Sequence, residues 1–389
     1  MNREHEEIRD DRENQENLGS NPDRGDRGDR GDRGDRGEDL RLVDWGFATA
    51  AARRLTPAGP GVSPDEAAAA VSALREAARR SHGYVADTTG LVTPDDIPPA
   101  LVVDRATWID INAGSFSHLL DPVLSDAIKR SSRPAPSQTA QRVGSKFTGS
   151  EVAGLLSFMS TKVLGQYELA PGRPASAARL LLVAPNVVQA ERELGVDPDD
   201  FRLWVCLHEE THRVQFTAVP WLREHMLERT AALASELAPD VDTVLERLKQ
   251  AVGNAPEALR SGGAGLAGLF LTPEQKEQVA QVTAVMSLLE GHADVVMDEV
   301  GPQVIRTVAH IREVFEQRRD GLGMFDIVAR RLLGLEAKML QYREGAEFVR
   351  GVMDAVGMDG FNAVWTSPQT LPTPAEIADP AAWVARVHG

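Results

Sequence analysis

The chain has 389 residues, enough for a large buried core, with 42% hydrophobic and 26% charged residues. Its net charge of −16 leaves no broad basic face for a phosphate backbone, no segment approaches the roughly 20 consecutive apolar residues that span a bilayer, and a lone cysteine, Cys206, excludes an intrachain disulfide scaffold. Nucleic acid and membrane are therefore not expected as partners, and the charged start, Met1 to Glu7, without an apolar signal stretch, points to the cytoplasm.

Residues 1–40 form a charged tail in which Asp23 to Gly37 is five copies of Asp-Arg-Gly. So little apolar surface cannot offset the entropy of ordering, and the tail is expected to be disordered. From 41 to 389 the composition is that of one globular domain, rich in alanine-bearing helical stretches: Pro64 to Ser81, Asp121 to Arg130 and Thr148 to Gly165. Thr148-Gly149-Ser150-Glu151 reads as a capping box opening the last of these, with Gly165 closing it. Asp104 to Asn112 also reads as helix. Arg179 to Ala184, short and apolar, is the clearest strand. Asp197-Pro198-Asp199-Asp200 marks a helix start, with an Asp cap, Pro in the first turn and acids near the positive end of the helix dipole. Thr272-Pro273-Glu274-Gln275 repeats that logic before a long helix to about Val300, and a helical insertion near 222–271 separates the two. The expected fold class is mainly α with a small β-sheet (α+β).

The helix opened by Asp197 carries His208-Glu209-Glu210-Thr211-His212, an HExxH pattern. Positions four apart share one helix face, so both imidazoles can converge on one ion. Zinc suits two imidazoles and leaves a position for water. Glu209 lies about 100° round the helix from His208, beside the ion, where it can take a proton from water held there. Cys206 faces nearly the opposite way and reads as a small buried hydrophobe.

A zinc hydrolase needs a third ligand. In Met286 to Val296 an apolar helix is interrupted by Glu290 and Asp294, four apart. A buried acid demands a cation or a strong donor, so Glu290 as ligand and Asp294 as acceptor for a ligating imidazole explain both charges. His292 competes for the ligand role, but it lies about 200° from Glu290 and the two are not expected on one ion.

His208-Glu209-x-x-His212 followed by Glu290-x-x-x-Asp294 resembles the gluzincin pattern of zinc metallopeptidases. The phrases Leu207 to Phe216, Leu289 to Asp294, Gly334 to Tyr342 and Leu371 to Ile377 are similar to an actinobacterial family of zinc-dependent metalloproteases, whose members are often labelled hydrolases or deazaflavin-coenzyme biosynthesis-associated proteins. The resemblance covers roughly Arg41 to Gly389. It implies a zincin-like fold, one zinc ion held by His208, His212 and Glu290, and Glu209 as general base. The stretch between His212 and Glu290 is longer than in typical gluzincins, which requires the insertion. Charge developing on a carbonyl oxygen also needs a partner, for which Tyr342 and His292 are the candidates, with Arg343 and Lys338 behind them.

The expected function is a zinc-dependent peptidase acting on a peptide or amide substrate, with no protein partner indicated. The alternatives are a small-molecule amide hydrolase of coenzyme metabolism, and a non-catalytic helical scaffold whose structural metal would be closed by a fourth ligand such as His292.

Overall fold

The computed structural model describes residues 42–130, 138–237, 272–321 and 341–389. The expected tail, 1–40, lies outside them, as does the expected insertion beyond Leu237. Asp44 caps helix α1 (Trp45–Leu55), its carboxylate accepting from the Phe47 N–H. Ser63 and Glu66 form a reciprocal capping box at the start of α2 (Pro64–Thr89), and Gly90, at φ 66°, ends it in the left-handed region. Helix α3 (Arg105–Arg130) runs unbroken through both stretches read as helical there, and packs with α1 and α4 (Gln138–Ser160).

Strands β1 (Leu101–Val103), β2 (Gly165–Glu168) and β3 (Arg179–Val183) form one sheet in the order β1-β3-β2, with β1 parallel and β2 antiparallel to β3. Past Arg179 the central strand is apolar, Leu180 to Val183, because both faces are covered. Leu181 and Val183 pack with Trp108, Ile109 and Leu156 from α3 and α4, whereas Leu182 faces Leu74, Phe201, Val205 and Leu207 from α2 and α6. Each fully buried leucine is worth about 2 kcal/mol.

Two expectations fail here. Thr148 does not open a helix: α4 already runs through it, and its hydroxyl bonds back to the Gly144 carbonyl at 3.2 Å. Gly165 does not close that helix either. The helix ends at Ser160, and Gly165 begins β2.

After α5 (Ala184–Leu194), Asp197 caps α6 (Pro198–Ala218), accepting from the Asp199 and Asp200 N–H groups as its sequence requires. Helix α7 (Pro220–Leu237) follows. The Thr272–Gln275 capping box opens α8 (Pro273–Val304), which packs against α6, α7 and α2. Helix α9 (Val308–Gly321) is tied to α6 by the Thr307 N–H and hydroxyl, both donating to Asp200. Helix α10 (Gln341–Phe361), interrupted at Gly357, lies along α8, and with the short helices Pro374–Ile377 and Pro380–His388 it builds a second core around Leu288, Leu289, Phe348, Val352 and Trp383.

The α8–α10 approach is close enough to exclude side chains. A Cβ on Gly291 would lie 2.2 Å from the Gly345 carbonyl carbon, and one on Gly345 would lie 2.0 Å from the Ser287 carbonyl oxygen. Cys206 is a free, fully buried thiol whose sulfur approaches the Leu74 carbonyl, and burial pushes it well above the usual thiol range. Among the described residues no helix is long and apolar enough to cross a membrane.

Candidate functional site

The cap at Asp197 fixes where α6 begins, and about three and four turns later the helix presents the half-buried His208 and His212 on one face. The two rings meet edge to face with centroids 4.8 Å apart, and their Nε2 atoms are separated by 3.3 Å. Glu290 reaches in from α8, placing Oε2 3.4 Å from His208 Nε2 and Oε1 3.5 Å from His212 Nε2. Donors about 2.1 Å from a tetrahedral ion lie about 3.4 Å apart, so these three atoms have the spacing that such an ion sets. They form the only group of this kind among the described residues. All three side chains are partly open to solvent, Glu290 by 28%, which leaves an approach for a further ligand.

The three groups are also coupled electrostatically. Burial pushes the His208 imidazole down, but the hydrogen bond and charge of Glu290, with Glu209 and Asp294 behind, outweigh it and raise the group to about 9. Asp294, the expected acceptor for a ligating imidazole, lies near enough for its charge to add to this rise. His212 is lowered, chiefly by burial.

Glu209 is buried beside the ligand set and takes no part in it. Burial raises its carboxyl to about 7, with His208 opposing and Glu290 adding to the shift. Gly165, the first residue of β2, lies against it: a Cβ there would sit 2.5 Å from Glu209 Cγ and 2.9 Å from Oε1. The missing side chain is what lets the carboxylate lie between strand and helix. Gly165→Ala is expected to leave zinc content and thermal stability near wild type, because Glu209 is flexible enough to swing aside. Turnover should fall at least about tenfold as the carboxylate leaves its position; unchanged kcat would mean that the contact has no catalytic weight.

The neighbouring acid has a different place. Glu210 is fully buried, accepting from Arg213 at 2.7 and 3.0 Å and paired with His82 of α2 at 2.7 Å, so it anchors α6 to α2. His292, expected as an oxyanion partner or competing ligand, is fully buried, its Nδ1 2.9 Å from Gln215 and its ring against Phe361 and Trp365. It stands behind His212 and offers no atom to solvent. Tyr342 lies in the first turn of α10, but its side chain and that of Arg343 fall outside the described residues, as does Lys338. Sequence reasoning assigned no role to Gly165 or Gln215. Gln215 carried one usable signal, its position three residues after His212 on the same helix.

The site thus brings together a helix-borne pair of imidazoles, an adjacent buried carboxyl and a distal carboxylate from a second helix. A family model for zincin-like metallopeptidases matches residues 43–384, and the chain belongs to that family. It is also similar to a crystal structure from Chloroflexus aurantiacus, described provisionally as a hydrolase with a novel fold, at 30% identity and a TM-score of 0.63 over 89% of this chain and 99% of that one. No curated protein matches it.

Proposed function

We propose that the protein is a zinc metallohydrolase that cleaves peptide bonds, with His208, His212 and Glu290 as ligands and Glu209 as general base. The observation that carries this reading is the meeting of three donor atoms, brought from helices far apart in sequence, at the spacing of a tetrahedral ion. Zinc, when bound, supplies Lewis acidity, lowering the pKa of a water to roughly 7 and polarising a carbonyl. The protein's own groups do the rest. A Glu209 carboxylate oxygen takes the proton of the attacking water and delivers it to the leaving nitrogen, and a carboxyl raised to about 7 is suited to both transfers. Asp294 supports His208 by its charge, and Tyr342 is the proposed partner of the developing oxyanion.

Two observations favour an open, peptide-directed site. His292, the fourth ligand that a closed structural site would need, is engaged by Gln215 and walled in by aromatic rings. Among the described residues β2 pairs only with β3, so its other edge offers backbone groups beside Glu209 along which an extended chain can lie. A cytoplasmic location, read from cysteine usage, belongs to the same proposal.

The test is elemental analysis of the purified protein. About one zinc per chain is expected in the wild type and less than about a tenth of that in His208→Ala, with proteolysis of a quenched peptide library lost on chelation and restored by zinc. Stoichiometric zinc in the variant would place the ion elsewhere.

A further inference from the structure

Gln215 is fully buried on α6, and its carboxamide joins three groups. Oε1 lies 3.0 Å from His212 Nδ1, while Nε2 lies 3.0 Å from the Leu289 carbonyl oxygen and 2.9 Å from His292 Nδ1. The Leu289 carbonyl can only accept, which fixes the amide orientation: the end facing it must be the NH2. Oε1 therefore faces His212 Nδ1, and that nitrogen must carry a proton. In the neutral ring the lone pair is then on His212 Nε2, the atom directed at Glu290 and His208. The second amide N–H is left for His292 Nδ1, which accepts, so neutral His292 carries its proton on Nε2. Among the described residues that nitrogen is buried without a hydrogen-bond partner, with its ring 5.3 Å from Phe361 and 5.4 Å from Trp365.

We propose that Gln215 is a positioning residue that sets both tautomers at once, holding His212 with its lone pair toward the ion position and His292 with a proton where a lone pair would be needed to ligate. The same amide ties α6 to the carbonyl of the residue preceding Glu290, so it also holds the two ligand-bearing helices in register. Its bearing on metal affinity rests on the zinc reading above; the tautomers themselves do not.

The experiment is long-range 1H–15N NMR on the full-length, metal-free protein labelled at histidine, together with zinc competition against a chromophoric chelator. It compares the wild type with Gln215→Met, which keeps the volume and removes the hydrogen bonds, and Gln215→Glu. The wild type should show His212 as the Nδ1–H tautomer and His292 as the Nε2–H tautomer. Gln215→Met should lose the His212 preference and weaken zinc binding roughly 10- to 100-fold. Gln215→Glu keeps an acceptor for His212 but presents an acceptor to both His292 and the Leu289 carbonyl, so His212 should stay as it is, His292 should switch to Nδ1–H, and zinc affinity should recover only in part. Unchanged tautomers in Gln215→Met, or equal affinity losses in the Met and Glu variants, would overturn the proposal, since they would leave only helix packing. A wild type with the stated tautomers that takes up no zinc would sink the metallohydrolase reading and leave the assignment of Gln215 standing.

Discussion

Glu209→Gln is expected to lower kcat on peptide substrates by roughly a hundredfold to ten-thousandfold while the zinc stays in place. The substitution is nearly isosteric. The amide can occupy the same gap against Gly165, and none of the three converging donor atoms belongs to this residue. What is lost is basicity, because a carboxamide cannot take up the proton that a carboxyl raised to about 7 accepts near neutral pH. Parallel steady-state kinetics and metal analysis check the result. A variant with wild-type turnover would remove Glu209 from the chemistry, whereas a variant without zinc would show it to be part of the ligand set.

Gly345→Ala is expected to cost about 3 kcal/mol or more, seen as a drop in melting temperature of about 5 °C, with weakened zinc binding as a second symptom. The added methyl group would sit 2.0 Å from the Ser287 carbonyl oxygen, a backbone atom of α8 that cannot rotate aside. The helices must part, and the displaced one carries Glu290. Gly291→Ala should act in the same direction from the other side, since its Cβ would meet the Gly345 backbone at 2.2 Å. Gly154→Ala serves as the control. Its Cβ meets nothing within 4 Å on an exposed face of α4, and there alanine should stabilise by roughly 0.5–1 kcal/mol. Equal melting temperatures for Gly345→Ala and wild type would show that the helices do not approach this closely.

The parts of the site that could be read from the sequence are those fixed by a local rule. Helical periodicity puts His208 and His212 on one face, and the expense of burying a carboxylate singles out Glu290 in an apolar helix, although what it meets lies far away in the chain. The capped starts at Asp197 and Thr272 were equally legible, because a cap is a bond between residues two or three apart. Gly165 gave no such signal. A glycine after a helical pattern reads as a stop, and its use as a gap for Glu209 depends on β2 crossing α6. Strands β1 and β2 are three and four residues long, too short for period-two alternation to register, and they are set by pairing with β3. The Thr148 expectation fails for the same reason: a Thr-x-x-Glu pattern inside a helix looks like one at its start until the residues before it are known to be helical. Gln215 could be seen as a neighbour of His212, but its second and third partners come from α8.

The glycine-mediated crossing has a temporal consequence. During synthesis the stretch bearing both imidazoles emerges from the ribosome first, the helix with the remote carboxylate later, and its brace, α10, later still. The three donor atoms cannot be held at their spacing before the second of these helices has joined the first, so a growing polypeptide carries the motif before it carries the assembled site.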